Sequence, residues 1–207
     1  MNILILGCSY GVPNFSGPPG VDPKYHTEYL LKDLGYTVHN CSLNGGSNLQ
    51  TIERAEKYIP GKKIDWILWF HTELFRDYKE IQQDNLSTVE ATKLLAQLTY
   101  EKFSLLVKKI DAKTAIIGGC HSIEDVLYDY VTPDFIIEDW KSEILGIKLP
   151  KIHVWTNIDA NDSIEYKNKL IDDQLLISNL ISKSEHFPDG CHPGIKPHAD
   201  LVKRLDQ

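Results

Sequence analysis

The sequence predicts an α/β fold, a mostly parallel sheet with helices on both faces, and three observations predict it. Short continuous apolar runs recur along the chain, each is followed by a polar or glycine-rich loop, and the loops lead into stretches with helical apolar spacing. Apolar runs that do not alternate suit strands buried on both sides. Strand, helix and strand in succession imply right-handed crossovers and parallel neighbours. In such sheets the ligand crevice lies beyond the carboxyl ends of the strands.

The first strand is Asn2–Leu6, ending in Gly7-Cys8-Ser9-Tyr10-Gly11 and a Pro/Gly-rich loop through Gly20. A helix runs from about His26 to Leu34 and stops at Gly35, a common C-terminal punctuation. Tyr36–Leu43 is the second strand, Asn44-Gly45-Gly46-Ser47-Asn48 a tight turn, and Leu49–Tyr58 a helix closed by Pro60-Gly61. Asp65–Phe70 (DWILWF) is the third strand. In the long helix Ser87–Ile110, Ser87 and Glu90 make a capping box, and Leu94, Leu95, Leu98, Leu105 and Leu106 mark an apolar face. Thr114–Ile117 is the fourth strand, and Lys151–Trp155 is the candidate fifth. The acidic stretch Asp134–Glu143 reads as a solvated helix face. Ser163–Lys183 and His198–Leu205 are the last helices. With no internal repeat, low-complexity tract or linker, residues 1–207 read as a single domain.

Composition narrows the function. A formal net charge of −7 argues against a broad electrostatic grip on nucleic acid or anionic lipid. The start, MNILILGCSYG, lacks the basic region and long apolar core of a signal peptide. No later stretch approaches the ~20 apolar residues of a membrane span. The expectation is a cytoplasmic protein without membrane or nucleic-acid partners. Cys8, Cys41, Cys120 and Cys191 are scattered and read as free thiols. The pairs Cys120-His121 and Cys191-His192 lack the spacing of a zinc site, so neither metal nor cofactor is expected.

Two segments carry chemistry. Ser9 follows the first strand between Gly7 and Gly11, where a sharp turn can aim its hydroxyl into the crevice and its N–H at a developing oxyanion. A capping or turn serine is the plainer reading of Ser9 alone. Near the other end stands Asp189-Gly190-Cys191-His192-Pro193-Gly194. A serine needs a base, and a histidine serves best when a carboxylate orients it. Asp189 and His192, three apart in a Gly/Pro-rich loop, can meet locally, leaving only the serine to come from afar.

Taken together, these segments resemble the SGNH (GDSL-like) hydrolases. Gly7-Cys8-Ser9-Tyr10 is similar to their first block, Asn44-Gly45-Gly46-Ser47-Asn48 to the block whose glycine N–H lines the oxyanion hole, and Asp189-Gly190-Cys191-His192-Pro193 to their last. The resemblance implies a three-layer α/β/α sandwich with about five strands in a flavodoxin-like sheet. It implies Ser9 as nucleophile, His192 as base, Asp189 as its carboxylate, and Ser9, Gly46 and Gly45 as oxyanion donors. The implied substrate is a small-molecule or carbohydrate ester, short acyl and O-acetyl esters among them. Cys8 replaces the usual aspartate of the first block. The third block departs further: His71-Thr72-Glu73-Leu74-Phe75-Arg76-Asp77 has no asparagine to serve as a donor, and Thr72 is the nearest hydroxyl. That departure sustains a second reading, a weak or inactive binding protein on the same fold, such as a phage-associated accessory protein.

Overall fold

A computed structural model describes residues 1–12, 23–74, 76–77, 86–118, 123, 125–148, 163–187 and 192–207. Five strands form one sheet: β1 (Asn2–Gly7), β2 (Thr37–Asn40), β3 (Trp66–His71), β4 (Lys113–Gly118) and β5 (Phe135–Ile137). Their order is β2-β1-β3-β4-β5 and every pairing is parallel. The helices are α1 (Thr27–Asp33), α2 (Asn48–Tyr58), α3 (Thr88–Ile110), α4 (Trp140–Leu145), α5 (Ile164–Ser182) and α6 (Ile195–Leu205). The predicted α/β class with a five-stranded parallel sheet is the observed one.

Strand periodicity of two explains how one sheet serves two cores. Leu4 and Leu6 of β1, Ile67 and Trp69 of β3, and Ile116 of β4 face α2 and α3 in one apolar cluster with Ile52, Leu95, Tyr100, Phe103 and Leu106. The intervening Ile3, Ile5, Leu68, Phe70, Ala115 and Ile117 face the other way, against Leu31 of α1, Trp140 of α4, and Leu201 and Val202 of α6. Both faces of each central strand are therefore apolar, which is why these runs show no alternation in the sequence.

Some expectations need correction. The fifth strand is Phe135–Ile137, inside the stretch read as an acidic helix face; Lys151–Trp155 lies outside the described residues. The acidic residues there flank the strand: the Asp134 carboxylate accepts from the Thr114 N–H at 2.8 Å, and Asp139 caps α4 through the Ser142 N–H. On α3, Leu95 and Leu106 are fully buried, but Leu94 and Leu105 are 36% and 55% exposed. They lie one residue off the buried stripe, about 100° around the helix. The Ser87–Glu90 capping box is present, and a second one, Ser47–Gln50, starts α2.

Among the described residues, no helix is long and apolar enough to cross a membrane.

Candidate active site

The chain leaves β1 for β2 on one side of the sheet and returns to β3 on the other. The carboxyl ends of β1 and β3 therefore flank the point where strand order reverses, the usual ligand crevice of an open parallel sheet. Ser9, Thr72 and the Gly45-Gly46 turn all follow strands β1, β3 and β2 at this end.

β1 ends in a residue that must be glycine. Gly7 has φ 139°, and a Cβ there would stand 2.5 Å from the Phe70 carbonyl oxygen on β3. The chain then makes a single 3-10 turn, Ser9–Gly11, closed by the Gly11 N–H on the Cys8 carbonyl at 2.9 Å. Two side chains fix this turn from outside. The Asn40 amide donates to the Gly11 carbonyl at 2.6 Å and to Glu28 at 2.6 Å, while its own oxygen accepts from the Ser42 N–H at 2.8 Å. His26 donates from Nε2 to the Tyr10 carbonyl at 2.8 Å. The backbone around Ser9 is thus tied to both β2 and α1.

The glycine turn after β2 is closed by the Gly46 N–H on the Leu43 carbonyl at 2.9 Å, with Gly45 at φ 66°. A Cβ on Gly46 would press against Leu43. Asn48, at the start of α2, grips the chain beyond β3 on both sides: its oxygen accepts from the Thr72 N–H at 3.0 Å and its amide donates to the Thr72 carbonyl at 2.9 Å. The Thr72 hydroxyl donates to Glu73 at 3.1 Å, Glu73 pairs with Arg76, and Arg76 reaches the Gly46 carbonyl at 3.3 Å. Gly46 and Thr72 are accordingly linked through one polar chain. His71 turns instead toward α3, its Nε2 3.3 Å from the Tyr100 hydroxyl.

His192 comes to this end of the sheet from the far end of the chain. Its ring stands edge-on to Tyr10, with centroids 5.4 Å apart. Two residues on, the Gly194 N–H donates to the His186 carbonyl at 2.8 Å, and Gly194 starts α6. Asp189, like Cys120, His121 and Cys191, lies outside the described residues. Among the described residues no group of His, Cys, Asp or Glu could hold a metal ion. Tyr10 also meets Trp140, whose ring packs on Phe70 and His198, so the β1 turn, α4 and α6 share one aromatic floor.

Two buried histidines, His26 and His198, join these rings, and neither is singled out by the sequence motifs. His26, which caps α1, is pushed down to about 4, chiefly by burial, against the opposing pull of the Tyr10 carbonyl and of Glu28. His198 lies well below the ordinary histidine value, again chiefly through burial, with neighbouring His26 and His192 adding to the effect. A signal for His198 existed: with Leu201, Val202 and Leu205 it falls on one helical stripe. Because α6 begins at Ile195 rather than His198, that stripe starts one turn earlier than the sequence suggested.

These shifts make stability depend on pH. The unfolded chain takes up a proton on His26 near pH 6.5 and the folded protein only near 4. The contribution is complete above pH 6.5 and is lost as pH falls toward 4. For His26 alone the loss is on the order of 3 kcal/mol. Urea midpoints are expected to fall between pH 7 and 4, and His26→Gln to flatten that slope; an unchanged slope refutes the assignment.

No protein-family model matches the chain, and no curated protein matches its sequence. Solved structures are similar to it at low identity. TesA shares 14% identity at a TM-score of 0.47, over 99% of this chain and 96% of its own. An acetyl xylan esterase, AlAXEase, shares 12% at 0.48, over 99% and 98%. A GDSL-like lipase from Bacteroides thetaiotaomicron shares 10% at 0.49, over 99% and 85%. Identities this low carry no residue role from one chain to another.

Proposed function

We propose that this protein is a serine hydrolase that cleaves esters, with Ser9 as nucleophile, His192 as general base and acid, and Asp189 as the carboxylate that orients His192. The observation that carries the reading is the ring contact between Tyr10, next to Ser9, and His192 at the carboxyl end of the sheet. It brings His192 and the residue beside Ser9 together from opposite ends of the chain, which supports the pairing proposed for them.

In this mechanism His192 removes the Ser9 proton as Ser9 attacks the ester carbonyl. His192 then protonates the departing alcohol, and a water activated by the same imidazole releases the acid. The oxyanion takes the Ser9 N–H, with the Gly45-Gly46 turn and Thr72 as further donors. In the resting protein the Gly46 N–H serves Leu43 and the Thr72 hydroxyl serves Glu73. Developing charge on the substrate draws the Gly46 N–H more strongly than the neutral Leu43 carbonyl does, whereas the Thr72 hydroxyl has a carboxylate to leave. The Arg76 partner of Glu73 lowers the cost of releasing Thr72. Short acyl esters, carbohydrate O-acetyl esters among them, are the substrate class.

The test is labelling with a fluorophosphonate probe beside p-nitrophenyl acetate turnover. Labelling that disappears in both Ser9→Ala and His192→Ala is expected; a well-folded protein that neither labels nor turns over overturns the proposal. Thr72→Val is expected to lower kcat about 10²-fold with KM little changed. An undiminished kcat removes Thr72 from the oxyanion site.

A further inference from the structure

The candidate site rests on two segments with no direct covalent or strand connection, the turn Ser9–Gly11 and the loop His192–Gly194. His26 and His198 are buried beside them, 7% and 3% exposed, with ring centroids 4.5 Å apart. Each ring binds a backbone carbonyl of one segment: His26 that of Tyr10 at 2.8 Å, His198 that of Pro193. We infer that His26 and His198 are a positioning pair that holds the Ser9 turn and the His192 loop at a fixed separation.

The protonation pattern follows from the partners. Nδ1 of His26 accepts from the Glu28 N–H at 3.3 Å, so its one proton sits on Nε2 and is donated to Tyr10. A proline carbonyl only accepts, so His198 donates to Pro193. The Thr27 hydroxyl lies 2.8 Å from His198 Nδ1, and Thr27 directly follows His26 at the start of α1. Two neutral rings pack well at this distance, whereas two imidazolium ions would repel. Burial, which holds both rings neutral, therefore keeps the pair assembled. In the proposed mechanism neither ring exchanges a proton with the substrate. Their part is to bring the base and the nucleophile to the separation that proton transfer needs, where small displacements are costly.

This inference rests on the serine-hydrolase reading, so its test includes a signal independent of turnover. His26→Leu and His198→Leu keep bulk and lose the donor; His26→Gln keeps a donor at the Nε2 position. Each is compared with the unsubstituted protein for kcat and KM on p-nitrophenyl acetate, thermal midpoint, and the ring-proton NMR resonances of His192. Both leucine variants are expected to lower kcat by about 10- to 100-fold with KM nearly unchanged, and to shift the His192 resonances. His26→Gln is expected to recover most of the kcat. Folded leucine variants with an unchanged kcat and unmoved His192 resonances overturn the inference. Should a leucine variant fail to fold, Thr27→Val removes one hydroxyl from the pair, and unmoved His192 resonances there count against it equally. If the unsubstituted protein turns over no ester, the hydrolase reading fails, while the His192 resonances still report whether the pair positions that loop.

Discussion

Ser9→Ala and His192→Ala will each lower kcat by about 10⁴- to 10⁶-fold, and the double variant will lose no more than the worse single one. A hydroxyl without its base is a poor nucleophile, and a base without a hydroxyl has nothing to activate, so the second deletion removes a function already gone. What remains is the catalysis supplied by binding and by oxyanion donors. Single-turnover measurements with an activated ester separate the acylation step, where the loss should appear. Losses that multiply in the double variant would mean that the two residues act independently, and the triad would then be the wrong description of this site.

Trp69→Ala will destabilise the fold by about 3–5 kcal/mol in chemical denaturation, the range for emptying a large aromatic site. Trp69 is fully buried in the middle of β3, its ring 4.1 Å from that of Phe103 and within 5.2 Å of His71 and 6.2 Å of Tyr100. It joins the central strand to α3, and removing it leaves a cavity bounded by strands that cannot close in. Trp69→Phe will cost far less, under about 2 kcal/mol. Its indole N–H has no hydrogen-bond partner among the described residues, so the smaller ring gives up packing but no bond. Equal losses for the two variants would show that the indole N–H matters after all.

The parts of the fold that the sequence exposed are those where local pattern and tertiary demand agree. β1, β3 and β4 are apolar without interruption because both faces are covered, and α3 carries its start signal in Ser87 and Glu90. β5 was hidden because three residues are too few for any periodicity, and the acidic residues around it drew attention to the surface when Asp134 and Asp139 in fact accept backbone bonds. Ser9 and His192 enter the proposed mechanism on residue type and spacing, and the ring contact of Tyr10 with His192 supports that proposal. The scaffold between them could not be read that way. Asn40, Asn48, His26 and His198 act by gripping carbonyls and N–H groups of distant segments, and which segments those are depends on the strand order.

That strand order also shapes how the chain reaches its native state. β1 is a central strand, and its partner on one side is far along the chain: Asn2 binds Asp65 across 63 positions. A long loop must close before β1 gains anything from β3, which makes folding slow relative to proteins of local contacts. Until then NILILG and WILWFH are apolar, without charge or proline, and able to pair with copies of themselves. The same uninterrupted apolarity that gives the sheet its two cores therefore makes the unfolded chain prone to self-association. Refolding yield should fall with protein concentration more steeply than the stability of the finished fold would suggest.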